Sequence, residues 1–432
     1  MFIHDCLGVN SAGHLTIGGC DTIELAAEFG TPAYIMDEAT IRARCTAYRN
    51  TLRECFGEGS MAHYAGKALS MRRIYDIVGE EGLGIDVVSS GELYTALAAG
   101  FPVERICFHG NNKTDADIEY AVKNRVGRFA ADNREELDAI SRIAGKAGIT
   151  QKIILRITPG IDPHTHKAIT TGDIDSKFGS PIATGQAEEI VKYAISLPNI
   201  ALCGLHCHIG SQIFDVQPFA GAARIMLKFI ADMEAKTGWL ADELDLGGGF
   251  GVRYVKEDKG IDIASAIREL AGVINAECTE LGIQRPRIML EPGRSIVADA
   301  GITLYTVGSV KTIPGFRTYV SVDGGMPDNP RYALYQSRYE AVIANRAAEP
   351  KTIHCTIAGR CCESGDLIGE NMPLQETSRG DILAVFVTGA YNYSMASNYN
   401  RLTRPPIIMV KDGKSYTAVR RESFEDLTRN DL

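Results

Sequence analysis

The sequence predicts an α/β protein that consists of a (β/α)8 TIM-like barrel and a second, C-terminal all-β domain. From about residue 36 to 295, short runs rich in Ile, Val, Leu and Phe alternate with amphipathic stretches, as strands alternate with helices. Eight such βα units in about 260 residues match the usual size of a closed parallel barrel. After about residue 296 the apolar runs are separated by short segments with Gly, Pro, Asp and Asn, which is typical of β domains.

The barrel strands are predicted, in chain order, at Met61–Gly66, Leu83–Val88, Arg105–His109, Gly127–Ala131, Lys152–Ile157, Leu202–Ile209, Glu243–Leu246 and Arg287–Leu290. Helical patterns lie between them, for example at Gly91–Ala99, Ala116–Asn124, Arg134–Gly145 and Phe219–Lys236. An open, doubly wound sheet is the alternative architecture. It usually has fewer strands and begins with a Gly-rich nucleotide-binding turn, and no such turn follows the first predicted strand.

The second domain is predicted from strands at Ile302–Lys311, Thr318–Asp323, His354–Ala358, Ile382–Val387, Ile407–Lys411 and Tyr416–Arg420. We therefore expect a barrel domain over residues 36–295 and a β-sandwich or β-barrel domain over residues 296–432. Residues 1–35 contain a short strand-like piece that is compatible with either domain, and we assign part of this segment to the β domain.

The composition excludes several classes of protein. The chain has 45 basic and 54 acidic residues, a formal net charge of −9, and no basic run, so a nucleic acid or an anionic membrane is not an expected partner. Its 11 cysteines form no CxxC pair, which indicates reduced thiols and a cytoplasmic protein. We expect neither a signal peptide nor a membrane span, because no apolar run reaches about 18 residues.

Polar and glycine residues are concentrated where the predicted barrel strands end, which is where barrel enzymes place their active sites. These are Lys67 after the first strand, Asp86 and Ser89 after the second, His109 after the third, 206–211 after the sixth, 247–249 after the seventh and 291–294 after the eighth. A lysine partly desolvated in a barrel mouth has a lowered pKa and can form a Schiff base. The alternative is that Lys67 extends its amine to solvent.

Three consecutive glycines, Gly247, Gly248 and Gly249, allow close approach to a ligand and suit a phosphate, although on their own they are more often a tight turn. Ser211 and Arg294 would add a hydroxyl and a charged donor to the same phosphate. Glu291 needs a partner, either a protonated ring nitrogen or Arg294. His208 either stacks on a flat ring or is a core histidine.

Residue types that can bind a metal ion occur together at Cys203, His206, Cys207 and His208, but we predict no metal site. The spacing does not match the known zinc signatures. On a strand the two cysteines would also point away from the two histidines. Farther along, residues 359–366 place two thiols and carboxylates in a turn, and residues 390–396 are rich in tyrosine and small side chains.

Together these motifs resemble the fold type III pyridoxal-phosphate decarboxylases, in the family's order and over nearly the whole chain. The motifs are YAGKAL at Lys67, HCHIGSQ at His208 and Ser211, LGGGFG at Gly247, Gly248 and Gly249, EPGR at Glu291, Gly293 and Arg294, RYALY at Arg331 and Tyr335, CESGD at Cys362 and Glu363, and GAY at Tyr391. The resemblance implies the barrel and β-domain architecture of alanine racemase and ornithine decarboxylase. It also implies a pyridoxal 5'-phosphate cofactor bound to Lys67.

The resemblance implies roles around this cofactor. His208 would cover the pyridine face, and the 247–249 glycines with Ser211, Gly293 and Arg294 would hold the phosphate. Glu291 would contact the pyridine nitrogen. A carboxylate keeps this nitrogen protonated, whereas the related racemases have an arginine there, so glutamate favours decarboxylation.

The resemblance also implies the substrate, meso-2,6-diaminopimelate, which would lose carbon dioxide to give L-lysine. Arg331 and Tyr335 would bind its distal carboxylate and Glu363 its distal amine, while Arg294 and Tyr391 would contact substrate and cofactor. Cys362 would donate a proton. The segment MPDNPRYALY departs from the commoner family form, in which leucine and isoleucine precede the arginine and proline follows it. In the family Cys362 and Glu363 come from a second subunit, which implies a head-to-tail homodimer.

Three alternatives remain open from the sequence. The first is a related decarboxylase of ornithine, arginine or carboxynorspermidine, which would not need a partner for a distal carboxylate. The second is a non-catalytic regulator, against which the presence of Lys67, Cys362 and Glu291 argues. The third is a barrel aldolase that uses Lys67 without the cofactor. The glycine and arginine phosphate residues and the β domain argue against this one.

Overall fold

The computed structural model describes residues 2–161 and 176–432. The chain divides into two compact units, which are described separately. The barrel unit comprises Arg44–Gly251 and Gly260–Ser295, and the β unit comprises Met1–Ala43, Val252–Lys259 and Ile296–Leu432. Residues 36–43 and 252–259 thus group with the β unit, although the sequence pattern had placed both within the barrel domain.

The strands of the described residues are, in chain order, β1 (Leu7–Val9), β2 (Leu15–Ile17), β3 (Cys20–Asp21), β4 (Ala33–Asp37), β5 (Met61–Ala65), β6 (Gly84–Val87), β7 (Ile106–Phe108), β8 (Arg128–Ala131), β9 (Gln151–Thr158), β10 (Ser180–Pro181), β11 (Ile200–His206), β12 (Glu243–Asp245), β13 (Arg287–Leu290), β14 (Gly301–Ile313), β15 (Arg317–Val322), β16 (Ala341–Ile343), β17 (Ile353–Ala358), β18 (Leu367–Leu374), β19 (Ile382–Phe386), β20 (Ile407–Lys411) and β21 (Lys414–Val419).

The α-helices of the same residues are α1 (Thr22–Phe29), α2 (Glu38–Phe56), α3 (Arg72–Glu80), α4 (Ser90–Ala98), α5 (Asp115–Lys123), α6 (Arg134–Lys146), α7 (Gln186–Ser196), α8 (Gln217–Thr237), α9 (Ile263–Leu281), α10 (Arg294–Val297), α11 (Arg331–Tyr335) and α12 (Phe424–Thr428). None of these helices is both long enough and apolar enough to cross a lipid bilayer.

Eight parallel strands close the barrel in the order β5–β6–β7–β8–β9–β11–β12–β13, and β13 pairs back onto β5. Each of the eight predicted runs overlaps one of these strands, so the barrel prediction is confirmed. The strands read as continuous apolar runs because both of their faces are covered, by barrel interior on one side and by helices on the other. β6, for example, is buried at all four residues.

Helices begin at the expected capping residues soon after the strands end. The side chain of Ser89 accepts a hydrogen bond from the backbone N–H of Glu92 at the start of α4, and Asn133 does the same for Glu136 at the start of α6. These caps satisfy backbone donors that have no partner inside the helix. They fix where these two strand-to-helix loops end, at the same end of the barrel as the candidate site residues.

The β unit is built on a sheet with the order β18–β17–β15–β14–β4–β20–β21, and β19 pairs with β14 and β16. The N-terminal strand β4 lies inside this sheet, antiparallel to β14 and parallel to β20. Strands β1, β2 and β3 form a small separate sheet. The segment 1–35, which the sequence left between two domains, therefore belongs with the β unit.

Candidate active site

Lys67 directly follows β5, in a short 3-10 turn at Gly66–Ala68. Its side chain is exposed, whereas Gly66 and Ala68 on either side of it are buried. The turn is therefore fixed by its neighbours, and the amine is left accessible at the C-terminal end of the strand. The positive charge of Lys67 is one of the causes that lower the pKa of the His208 imidazole.

His208 lies just beyond β11, and its Nδ1 accepts a hydrogen bond from the backbone N–H of Gly248 at 3.3 Å. Burial, followed by the charges of Lys67 and Arg156, lowers the pKa of His208 well below its usual value. The ring is therefore neutral near pH 7. A neutral, flat imidazole held by a backbone donor can cover the face of a cationic ring without charge repulsion.

The glycines after β12 are packed against the backbone of the neighbouring strands. A Cβ atom on Gly248 would lie 2.0 Å from the carbonyl oxygen of Glu291, and one on Gly249 would lie 2.2 Å from that of Gly210. Gly249 also has a φ of +117°, which other residues rarely adopt. Close packing and the positive φ both require glycine here. The loop backbone can therefore lie against the ends of the neighbouring strands.

Arg294 and Ser211 form a polar pair beside these glycines. Arg294 is the first residue of α10 and is only 6% exposed. Its Nε and Nη2 donate to the Ser211 hydroxyl over 3.3 and 3.0 Å. Gly293 keeps the chain close to β5, since a Cβ there would lie 3.0 Å from the Ala65 Cβ. A guanidinium, a hydroxyl and a glycine loop together make an anion site.

Glu291 follows β13 and lies against two imidazoles. Its Oε1 is 3.1 Å from Nε2 of His109 and 3.2 Å from Nε2 of His206. Burial alone raises the pKa of Glu291, but His206 and His109 outweigh it, and the pKa is well below its usual value. Oε1 is enclosed without a well-aligned hydrogen bond, and the side chain keeps 11% exposure. Glu291 is thus an ionised carboxylate that can still take a donor.

In the β unit, Arg331 lies between two aromatic rings. Its guanidinium carbon is 5.2 Å from the ring centre of Tyr335 and 5.3 Å from that of Tyr391. Arg331 is 7% exposed, and its Nε is buried without a hydrogen-bond partner. The predicted residues Arg331, Tyr335 and Tyr391 are therefore brought together, around a buried donor that is not satisfied by the chain itself.

Cys362 and Glu363 lie on a loop whose base is held by Asp366. The Asp366 carboxylate accepts from the backbone N–H groups of Met326 at 2.6 Å and Cys361 at 2.7 Å. The Cys362 N–H donates to Asn400 Oδ1 at 2.8 Å. Both predicted side chains, Cys362 and Glu363, are exposed. The loop is thus well anchored and presents a thiol and a carboxylate outward.

Sequence reasoning assigned no role to His109 and considered His206 only in a metal reading. The structure does not group Cys203 or His208 with other potential metal ligands among the described residues. It instead brings His206 to His109 and Glu291, with the two imidazole ring centres 5.1 Å apart. The available signal was that both histidines lie at predicted strand ends, like the other candidate residues.

Comparisons with known proteins identify the family of this chain. Residues 38–298 match the family model described as the pyridoxal-binding domain of pyridoxal-dependent decarboxylases. The chain therefore belongs to the pyridoxal-dependent decarboxylases, as the sequence motifs indicated. Within this family, its curated relatives include the diaminopimelate decarboxylase of Bacillus methanolicus, 47% identical over 98% of both chains. The Bacillus subtilis enzyme of the same name is 45% identical over 100% of this chain and 98% of its own.

A solved structure has the same architecture. The crystal structure of diaminopimelate decarboxylase from M. jannaschii in complex with L-lysine has a TM-score of 0.91 and 34% identity, and the match covers 100% of this chain and 99% of that chain. The family cofactor is pyridoxal phosphate, and the barrel residues fit it. The enclosed carboxylate of Glu291 suits a ring nitrogen, the Arg294 and glycine site suits a phosphate, and the accessible amine of Lys67 suits an aldehyde.

Proposed function

We propose that this protein removes carbon dioxide from meso-2,6-diaminopimelate to give L-lysine, with pyridoxal phosphate as cofactor. The observation that carries the choice of substrate is the buried, unpartnered Nε of Arg331. A buried guanidinium is costly unless an anion pairs with it, and a distal carboxylate supplies a two-point partner. Ornithine and arginine carry no distal carboxylate. The names of the relatives support the same substrate.

The barrel residues bind and orient the cofactor in this proposal. Lys67 would hold it through a Schiff base, His208 would cover the ring, and Glu291 would keep the ring nitrogen protonated. The phosphate would be held by Ser211, Gly247, Gly248, Gly249, Gly293 and Arg294. When bound, pyridoxal phosphate supplies an electron sink for the pair released as the Cα–carboxylate bond breaks.

The β-unit residues bind the substrate and complete the reaction. Arg331 and Tyr335 hold the distal carboxylate and Glu363 holds the distal amine, while Tyr391 and Arg294 contact substrate and cofactor. The Cys362 thiol gives its proton to Cα after carbon dioxide leaves, so that the new C–H bond replaces the broken C–C bond. Product release and reprotonation of the thiolate from solvent return the site to its starting state.

The exposed position of Cys362 and Glu363 supports a homodimer in which each subunit contributes this loop to its partner's site. An anchored loop that presents reactive groups outward is suited to such a role. We also propose that the enzyme works in the cytoplasm, since all of its cysteines are free thiols.

The test is release of carbon dioxide by the purified protein with added pyridoxal phosphate. meso-Diaminopimelate, L-ornithine, L-lysine and L-arginine are compared at equal concentration. Release from meso-diaminopimelate alone, with L-lysine as product, supports the proposal. Release from ornithine or arginine would overturn the role of Arg331. A protein that binds no cofactor would overturn the proposed chemistry and leave a Lys67 aldolase or a regulator.

A further inference from the structure

We propose that His109 and His206 are positioning residues that hold Glu291 as an ionised carboxylate, so that the cofactor's ring nitrogen keeps its proton. His109 is the charged member of the pair and His206 the neutral one. This inference rests on the proposed contact between Glu291 and the cofactor ring. The test below distinguishes failure of the inference from failure of that contact.

The geometry comes from three separate strands. His109 follows β7, His206 ends β11 and Glu291 follows β13. Both imidazoles approach the same oxygen, Oε1, at 3.1 and 3.2 Å. Both histidines are buried, whereas the Glu291 side chain keeps 11% exposure. The two imidazoles therefore contact one oxygen of the carboxylate, Oε1, which is itself enclosed.

A second layer of charged groups continues behind His109. Its Nε2 is 3.5 Å from Oδ1 of Asp86, and the same oxygen is 3.3 Å from Nδ1 of His63. His109 Nε2 is thus shared between the carboxylates of Asp86 and Glu291. A cation between two buried carboxylates reduces the repulsion that would otherwise drive one of them to take up a proton.

The electrostatics assign the charges within the cluster. Burial alone lowers the pKa of His109, but Cys107, Glu291 and Asp86 outweigh it and raise the pKa well above the usual value. Burial also raises the pKa of the Cys107 thiol, so near pH 7 the two carboxylates favour the charged imidazole. Burial lowers the pKa of His206 more than Glu291 restores it, so this ring is neutral. Its other charged neighbours, His109 and Arg156, also act to lower its pKa.

A further carboxyl group faces the cluster from β12. Burial, followed by Glu291 and Asp86, raises the pKa of Asp245 well above its usual value, so Asp245 is protonated near pH 7. Glu291 thus stays ionised while Asp245 is protonated, and His109 lies closest to the Glu291 carboxylate, at 3.1 Å. Removing the charge of His109 would raise the pKa of Glu291. The proton between Glu291 and the cofactor's ring nitrogen would then move from the nitrogen to the carboxyl group.

The test uses holoenzyme loaded with pyridoxal phosphate labelled with 15N in the ring, whose 15N chemical shift reports whether the nitrogen is protonated. In the unchanged protein we expect a protonated nitrogen through neutral pH. His109→Gln should lower the pH at which this proton is lost by about one unit or more. His206→Gln should act in the same direction, since His206 also lowers the pKa of Glu291, and activity should fall with the protonated fraction.

The matched control is His4→Gln, since His4 is also a buried histidine, 3.8 Å from the carboxylate of Asp299 in the β unit. It should leave the 15N shift and its pH dependence unchanged. A His109→Gln protein that folds, binds the cofactor and keeps the wild-type 15N titration would overturn the inference. A holoenzyme whose ring nitrogen is unprotonated without any substitution would instead overturn the proposed role of Glu291.

A second measurement needs no variant. In the cofactor-free protein, 15N-labelled imidazole signals should show His109 doubly protonated and His206 neutral at pH 7. A His109 ring that is neutral at pH 7 would refute the charge assignment, whether or not the cofactor role of Glu291 holds. A His109 ring that stays charged supports it, even if the His109→Gln protein fails to fold.

Discussion

At the scale of single residues, Arg331 provides a test of substrate choice. Arg331→Ala removes the proposed partner of the distal carboxylate, so we expect kcat/KM for meso-diaminopimelate to fall by roughly 100-fold, the cost of losing one partner of a buried charge pair. Cofactor binding should be unaffected, because its proposed ligands lie in the barrel unit. Steady-state kinetics and cofactor absorbance are the measurements.

Arg338→Ala is the control for that change. Arg338 is an exposed arginine close by in the chain, and it pairs with Glu257 at 3.1 Å on the surface of the same unit. Exposed pairs of this kind contribute little, so its removal should leave kcat/KM within about a factor of two. Equal losses in the two variants would show that Arg331 acts through general charge and has no specific contact with the substrate.

Adjacent cysteines allow a similar comparison for the proton donor. Cys362→Ala should lower kcat by roughly 100-fold, the usual contribution of a positioned acid, and should preserve the cofactor's absorbance. Cys361→Ala should have little effect. Burial, with the charge of Asp366, raises the pKa of the Cys361 thiol to about 12, so Cys361 is a poor acid. Loss of the cofactor from the Cys362→Ala protein would mean that Cys362 shapes the binding site instead.

At the scale of secondary-structure elements, the loop after β12 depends on glycine for space. Gly248→Ala places a methyl group 2.0 Å from the Glu291 carbonyl oxygen, so the loop or the end of β13 must move. We expect the dissociation constant for pyridoxal phosphate to rise at least tenfold, because the phosphate site and Glu291 are both displaced. Fluorescence titration of the cofactor-free protein measures this change.

Gly272→Ala is the counterpart of that substitution. Gly272 lies inside α9, and a Cβ there meets no atom within 4 Å. Alanine should therefore stabilise the protein by about 0.5–1 kcal/mol, through helix propensity and lower entropy of the unfolded chain. Cofactor affinity should not change. If Gly248→Ala bound the cofactor as tightly as Gly272→Ala, the close packing of the loop would not matter for binding.

The elements differ in how much of them the sequence could predict. The barrel strands were recognisable because each is a continuous apolar run between amphipathic helices. β18 was missed because Gly369 and Pro373 interrupt its pattern, and β4 was not assigned because its partners β14 and β20 lie at the far end of the chain. The roles of His109 and His206 were missed for a related reason. Motifs identify residues that are close in sequence, whereas His109, His206 and Glu291 lie at the ends of three separate strands.

At the scale of the whole molecule, the candidate residues are divided between the two units. Those proposed for the cofactor lie in the barrel unit, and those proposed for the substrate, apart from Arg294, lie in the β unit. In the proposed reaction neither set is sufficient, because the proposed proton donor and the proposed cofactor residues belong to different units. The proposal therefore requires both units, either from one chain or from two copies.

Mixed dimers distinguish these two arrangements. Lys67→Ala and Cys362→Ala subunits are co-expressed with different tags, and the mixed dimer is isolated by both tags. If Cys362 acts in the partner's site, one of the two sites contains both native residues, and activity should recover to about half that of the unchanged dimer. If each site is built within one chain, activity should not exceed that of the two parent variants. Lys67→Ala paired with Glu291→Ala is the control. Both changes lie in the barrel unit, so every site keeps one defect and no recovery is expected in either arrangement.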